Sequence, residues 1–270
     1  MKADTESRFE SAQEYAAYLQ TPEGRLRLDL AWSNLQPFLP SPSAGNNLKA
    51  LDIGGGTGAM ALKLAGVGFH VTVLDKSQAM LAMAESAAAQ AGFSHRISMI
   101  LGDMANLQAG ECAKLEPFSF AVIVCHNLLE FVDDVQAILR DIKRLINPVS
   151  GIVSILVRNR AGEVLKAGIK SGDLDQSAKN LTAETVVESL YGGEARLFDS
   201  RDLRGSLSHE RLDTIAERGV RVMSDYLPAP LFHDDAGYAR VLALEQRLAE
   251  KTEFAAIARY TQLLARPAGK

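Results

Sequence analysis

Residues 51–58 (Leu51, Asp52, Ile53, Gly54, Gly55, Gly56, Thr57, Gly58) constrain what this chain can fold into more than any other stretch. They follow an apolar run and precede a helical pattern, Ala61 to Ala65. Seventeen residues after Gly58, Asp75 closes a second strand-like run, His70 to Leu74. A strand, a glycine turn, a helix and a second strand ending in an acid describe a nucleotide-binding half-fold. Glycines carry no Cβ, so backbone N–H groups there can approach a ligand closely. The acid is placed to accept hydrogen bonds from ribose hydroxyls.

The glycines alone leave the nucleoside open. Gly54, Gly56 and Ala59 satisfy a dinucleotide fingerprint in its G/A form, so a nicotinamide or flavin reading stands. Three features favour S-adenosyl-L-methionine. Asp52 sits directly before the glycines, where a carboxylate can face a cationic ligand; a dinucleotide site offers helix N–H groups to pyrophosphate and has no use for an acid there. Asp103 and Met104 follow a third strand, suited to an adenine amino group and ring face. A fourth buried strand, Phe120 to Cys125, runs into His126, Asn127, Leu128, Leu129, Glu130 and Phe131. In this order the four elements resemble the class I methyltransferase family over roughly Lys49 to Leu156. The resemblance implies an α/β, Rossmann-like seven-stranded sheet with helices on both faces. Its cofactor-binding set would be Arg27, Asp52, Gly54, Gly55, Gly56, Gly58, Asp75, Lys76, Met80, Asp103, Met104, Ala105 and His126.

With 270 residues and 47% apolar content the chain can bury one large core. No apolar run approaches the ~18–20 residues that span a bilayer. The polar segment Met1 to Glu6 is unlike a signal peptide. The two cysteines, Cys112 and Cys125, lack metal-ligand spacing, and no metal is expected. A reducing cytoplasm is the expected compartment. Net charge is −4, and all the acidic excess lies in residues 1–157, the remainder being balanced. A nucleic-acid partner would therefore need a local patch rather than a global field. Arg158, Arg160, Arg196, Arg201 and Arg221 would have to supply it.

The chain reads as one methyltransferase domain in four parts: an N-terminal helical cap (1–47), a cofactor half (48–157), a helical insert or lid (158–199) and C-terminal strands with a helix (200–270). Ser11–Gln20 and Glu23–Phe38 read as helices, the second started by Thr21 and Pro22. Ser77 caps a helix from Gln78 to Ala91, and Val135–Leu145 is another. Gly151–Val157 reads as a fifth strand. The insert carries amphipathic pieces at Glu163–Lys170 and Ala183–Leu190. A short helix, Ser200–Ser208, follows, then strands Thr214–Ser224 and Ala255–Leu264 around a helix, Asp235–Glu250.

Methyl transfer from a sulfonium mainly requires that the acceptor be positioned, which can lower a barrier by up to ~7–11 kcal/mol. A carboxylate acceptor arrives ionised, whereas a hydroxyl or amine usually needs a base. His126 is the best of few candidate bases, with cofactor contact and a structural role as its alternatives. Arg25 and Arg27 lie on the second helix, where one could pair with the methionyl carboxylate.

Further segments narrow the resemblance. Glu217 to Leu227, Leu244 to Arg247, Ala258 to Tyr260 and Thr21 to Arg27 with Trp32 are similar to the bacterial tRNA 5-carboxymethoxyuridine methyltransferases. That family implies roles for Arg27, His126, Gly54, Gly55 and Asp75 in holding S-adenosylmethionine. It also implies a carboxyl O-methyltransferase acting on a modified tRNA wobble uridine. The acceptor half departs from the family. Its Tyr-Asn-x-His pattern is here Arg158, Asn159, Arg160 and Ala161, a lysine run of some members is replaced by Tyr191 to Arg196, and the last strand has no histidine. Arg158, Asn159, Arg160, Arg221 and Tyr226 are the expected substrate residues. A small-metabolite acceptor is the alternative.

Overall fold

The computed structural model describes residues 12–41, 48–103, 112, 114–188, 193–232 and 234–269. Helices α1 (Ala12–Gln20) and α2 (Pro22–Leu35) come first. Thr21 caps α2 as its sequence predicts, its Oγ1 accepting the Gly24 N–H at 3.1 Å. A Cβ at Gly24 would stand 2.0 Å from the Tyr18 carbonyl, so glycine is what lets the two helices turn so tightly. The last expected turn, Gln36–Phe38, is 3₁₀.

The main sheet comprises β1 (Lys49–Ile53), β2 (His70–Asp75), β3 (Ile97–Leu101), β4 (Val122–His126), β5 (Ile152–Arg158), β8 (Leu212–Val220) and β9 (Tyr260–Pro267). Their order is β3-β2-β1-β4-β5-β9-β8. Only β9 runs against the others. The strands alternate with α3 (Ala59–Gly66), α4 (Gln78–Gln90) and α5 (Val135–Leu145). Strand order reverses between β1 and β4, and a ligand crevice opens at such a reversal, beyond the carboxyl ends of the strands.

Buried strands alternate their side chains between two apolar faces. On one face Leu26, Leu30 and Leu35 of α2 and Leu64 of α3 cover Ala50, Val71, Val73 and Val124. On the other Ile138, Leu139, Ile142 and Leu145 of α5 cover Leu51, Ile53, Ile123 and Cys125, joined by Leu203 and Leu207 of α8 (Ser200–His209). Each such side chain contributes roughly 1.5–3 kcal/mol on burial. Cys125 belongs to this core, as expected from its strand.

The insert after β5 holds α6 (Arg160–Leu165), a π-helical turn (Lys166–Lys170) and α7 (Leu174–Asn180). A hairpin of β6 (Thr185–Val187) and β7 (Glu194–Arg196) follows. The second amphipathic piece, Ala183–Leu190, was expected to be helical; its described part is instead a strand, because Thr185, Val186 and Val187 are β-branched. Strand β8 stops at Val220 rather than Ser224, since Arg221 has φ +61°, a conformation no strand continues. Helix α9 (Asp235–Ala249) matches its expected span closely. Residues Thr252–Ala255, partly assigned to the last strand by sequence, form the short helix α10.

Candidate active site

The β1–α3 turn is built by left-handed glycines: φ is +67° at Gly54, +54° at Gly56 and +76° at Gly58. Gly55 is required for a different reason, as a Cβ there would lie 2.8 Å from Val73 and 2.9 Å from Asp52. The Gly56 N–H donates to Asp75 Oδ2 at 2.9 Å, and the Ser77 N–H donates to Asp75 Oδ1 at 2.9 Å. Asp75 thus ties the glycine turn to the end of β2 and keeps further lone pairs for a ligand. Burial raises its pKa against these bonds.

A cavity opens at this turn. Its walls include Tyr15 and Leu19 of α1, Arg27, Leu28 and Ala31 of α2, Asp52, Gly54, Gly55 and Thr57 of the turn, and His126, Asn127 and Leu156 of the next strands. The Tyr15 ring lies over the glycines, its Cε1 3.5 Å from where a Cβ of Gly56 would be. Asp52, buried, and Arg27, half-buried, both line the cavity. Asp52 Oδ2 has no hydrogen-bond partner, and burial followed by repulsion from Asp75 pushes this carboxyl up to about 7. Arg27 donates to the Tyr15 hydroxyl at 2.9 Å, and its guanidinium lies 4.9 Å from the Tyr18 ring. Burial opposes its charge, but the oxygens of Tyr18, Tyr15 and Tyr260 outweigh that. A buried carboxyl with one oxygen unpartnered and a guanidinium held by tyrosines complement the amino and carboxylate groups of an amino-acid moiety.

His126 ends β4, and its Nε2 lies 2.8 Å from Ser154 Oγ. Gln262 donates to the same oxygen at 2.9 Å. Burial, then the charge of Arg27, pushes its pKa down to about 3. A base so weak holds no useful share of a proton near neutrality, so the expectation of general-base catalysis gives way to a neutral contact at the crevice.

A second cluster is assembled by topology. An antiparallel strand begins where its parallel neighbours end, so Tyr260 at the start of β9 pairs with Arg158 of β5 and Val220 of β8. This gathers Arg158, Arg221 and Arg259, with guanidinium carbons 5.7, 5.9 and 5.8 Å from the Tyr260 ring. Burial opposes ionisation of Tyr260, but Arg158, Arg259, Arg221 and Arg27 overcome it and bring the phenol down to about 8. Acids partner the arginines. Glu163 lies 2.7 Å from Arg158 and 2.5 Å from Arg259, Glu188 lies 3.2 Å from Arg158, and Asp225 pairs with Arg221. Arg221 also donates to the Tyr18 hydroxyl at 3.2 Å, which connects this cluster to Arg27 and the cavity.

The expected substrate residues therefore separate. Arg158 and Arg221 enter the cluster and are buried. Asn159 is structural: it caps α6 through Ala161 N and donates to the carbonyls of Ala256 and Ala258 at 2.9 Å each. Arg160 is held by the Ala183 carbonyl, and Tyr226 is half-buried in a 3₁₀ turn. The five arginines proposed as a phosphate patch do not form one, because Arg158 and Arg221 are buried among acids and Arg196 reaches the Asp133 carbonyl. Met80 lies beneath Gly56, whereas Lys76 and Asp103 are exposed at the strand ends. Met104 and Ala105 lie outside the described residues. Arg25 stacks on Tyr238 at 4.3 Å and turns away from the cavity. Sequence reasoning missed Tyr15, Tyr18, Asn127, Arg259 and Tyr260 as site residues. Asn127, at φ +52°, carried a usable signal, since asparagine tolerates that conformation in a turn after a strand.

The glycine turn, its acid and the sheet order define a class I, S-adenosylmethionine-dependent methyltransferase. Residues 44–217 match the methyltransferase domain family, and the chain belongs to it. It is 27% identical over 246 residues to the tRNA 5-carboxymethoxyuridine methyltransferase of Escherichia coli K12, covering 91% of this chain and 90% of that one. The ubiquinone biosynthesis O-methyltransferase of Pseudomonas aeruginosa UCBPP-PA14 is 32% identical over 112 residues, 42% of this chain and 45% of its own. The CcbJ methyltransferase of Streptomyces caelestis shares the fold, with a TM-score of 0.64, 15% identity and coverage of 98% and 100%. S-adenosyl-L-methionine is the cofactor that the family and these neighbours imply. Among the described residues no helix is long and apolar enough to cross a membrane.

Proposed function

We propose that this enzyme esterifies a carboxylate, and that the carboxylate is that of a 5-carboxymethoxyuridine in tRNA. In this reading Asp75 takes the ribose hydroxyls, while Arg27 and Asp52 take the carboxylate and amino group of the methionyl part. When bound, S-adenosylmethionine supplies an electrophilic methyl group, which an acceptor oxygen takes as the carbon–sulfur bond breaks. A carboxylate acceptor has no proton to lose, so no residue needs to remove one. The chain's task is then to hold the acceptor still and dry.

The observation that carries this reading is the buried cluster of Arg158, Arg221 and Arg259 around Tyr260, linked through Tyr18 to Arg27 at the cavity. Planar guanidiniums suit a carboxylate by paired hydrogen bonds, which an acceptor here would share with Glu163, Glu188 and Asp225. The weakness of His126 as a base agrees with an acceptor that needs none. The identity of the acceptor is supported by the E. coli relative, which matches nearly the whole chain, whereas the ubiquinone-pathway relative matches less than half of it. A free small carboxylate is the second reading, favoured by the burial of Arg158 and Arg221, at 6% exposed each.

The test is to incubate the enzyme and labelled S-adenosylmethionine with tRNA from cells lacking it, and in parallel with a metabolite extract. Label in a wobble uridine is the expected result. Label confined to small molecules would replace the tRNA reading with the second one.

A further inference from the structure

Arg221 stands at a bend whose backbone is fixed from outside. Three consecutive amide groups after it, those of Val222, Met223 and Ser224, donate to the carboxylate of Glu245 at 2.7, 2.9 and 2.6 Å. Glu245 is fully buried on α9, 21 or more residues away in sequence. Successive N–H groups around a left-handed residue form an anion-binding concavity, and here a side chain of the protein fills it. The bend it holds carries Arg221, at φ +61°, and Asp225, which accepts from Arg221 Nε at 2.7 Å.

Seven residues earlier, two turns along α9, Tyr238 faces the other half of the site. Its hydroxyl donates to Asp29 at 2.8 Å, and its ring lies beneath Arg25 at 4.3 Å. Residues 25 and 29 are one turn apart on α2 and flank Arg27, which points instead to the cavity. Lys63 closes the far side of Asp29 at 2.9 Å. One helix thus grips the bend that bears Arg221 and the helix that bears Arg27, through separate side chains.

We infer that α9 is a positioning strut with two separable outputs: Glu245 sets Arg221 for the acceptor, and Tyr238 sets the Arg27 helix for the cofactor. The first output rests on the carboxylate reading above; the second does not. Neither residue touches a reacting group. Replacing the Glu245 carboxylate by an amide leaves one oxygen for three donors and presents N–H groups to N–H groups. The bend then loses its fixed geometry without opening a cavity.

The experiment compares Glu245→Gln and Tyr238→Phe by calorimetry with S-adenosylhomocysteine and by methylation kinetics on tRNA carrying 5-carboxymethoxyuridine. For Glu245→Gln the acceptor KM is expected to rise on the order of tenfold or more, with the cofactor Kd within twofold. For Tyr238→Phe the cofactor Kd is expected to rise several-fold with the acceptor KM unchanged. Both variants moving the same constant, or Glu245→Gln folding normally and moving neither, would overturn the strut. Should wild type fail to methylate the tRNA, the acceptor reading falls, while the calorimetric arm still decides the Tyr238 output. Should Glu245→Gln fail to fold, wild-type hydrogen exchange decides: amides 222–224 protected like those of β9 support the seat, and rapid exchange there refutes it.

Discussion

Replacing Arg27 by alanine separates cofactor binding from folding, because this half-buried arginine is held in the fold by tyrosines. Its guanidinium bonds to the hydroxyls of Tyr15 and Tyr260 and lies against the Tyr15 and Tyr18 rings. Among the described residues no ion pair involves it, so its loss orphans no carboxylate there. Apo stability should therefore hold within about 1 kcal/mol, despite the removal of a large side chain. The cofactor fares differently. A hydrogen bond to a charged group contributes ~1.5–3 kcal/mol, and a methionyl carboxylate left in the crevice without its partner adds a desolvation cost. A combined loss of about 2–4 kcal/mol is roughly a 30- to 700-fold rise in Kd. Calorimetric titration with S-adenosylhomocysteine, beside an apo thermal melt, reads both quantities. An unchanged Kd would refute the assignment of Arg27 to the cofactor. A melt that collapses in the absence of ligand would make Arg27 a structural residue.

Three further outcomes follow from the same geometry. Asp75→Ala should weaken S-adenosylhomocysteine binding by roughly 1.5–3 kcal/mol in a calorimetric titration, since it removes the carboxylate proposed for the ribose and frees the Gly56 N–H that now donates to it. Glu163→Gln breaks two buried ion pairs, with Arg158 and Arg259, and should cost ~3–5 kcal/mol, measured as a lower urea midpoint. His126 should make stability fall as pH is lowered. Its folded pKa is depressed to about 3 from an ordinary 6.5, so below pH ~6.5 the unfolded chain takes up a proton that the folded one refuses. This contribution is flat above pH 6.5 and declines towards the folded value, and urea midpoints of His126→Gln should lose that part of the slope.

Local pattern made the cofactor half legible. The turn from Leu51 to Gly58, the acid Asp75 and the cap Ser77 are each written within a few residues, and backbone geometry follows from glycine and proline chemistry almost regardless of the rest of the chain. The acceptor half is a different kind of object. Tyr260 meets Arg158 only because β9 inserts antiparallel between β5 and β8, a pairing across about a hundred residues that periodicity does not reveal. For the same reason Arg158 and Arg221 read as surface charges in sequence. Their partners Glu163 and Asp225 are close in the chain, but burial, which turns a neighbouring pair into a fixed one, comes from the insert and from α9. The strand in place of a helix at Thr185–Val187 shows tertiary pairing prevailing over an amphipathic pattern. The end of β8 was missed because a left-handed arginine leaves no compositional mark.

The account turns on the chemical nature of the bond the enzyme makes. Methyl label transferred from S-adenosylmethionine to tRNA should be an ester, so mild alkali should release it as methanol and leave a carboxylate on the wobble nucleoside. Label that survives alkali, on a base, a ribose hydroxyl or a nitrogen, would contradict a carboxylate acceptor and with it the role given to the arginines around Tyr260.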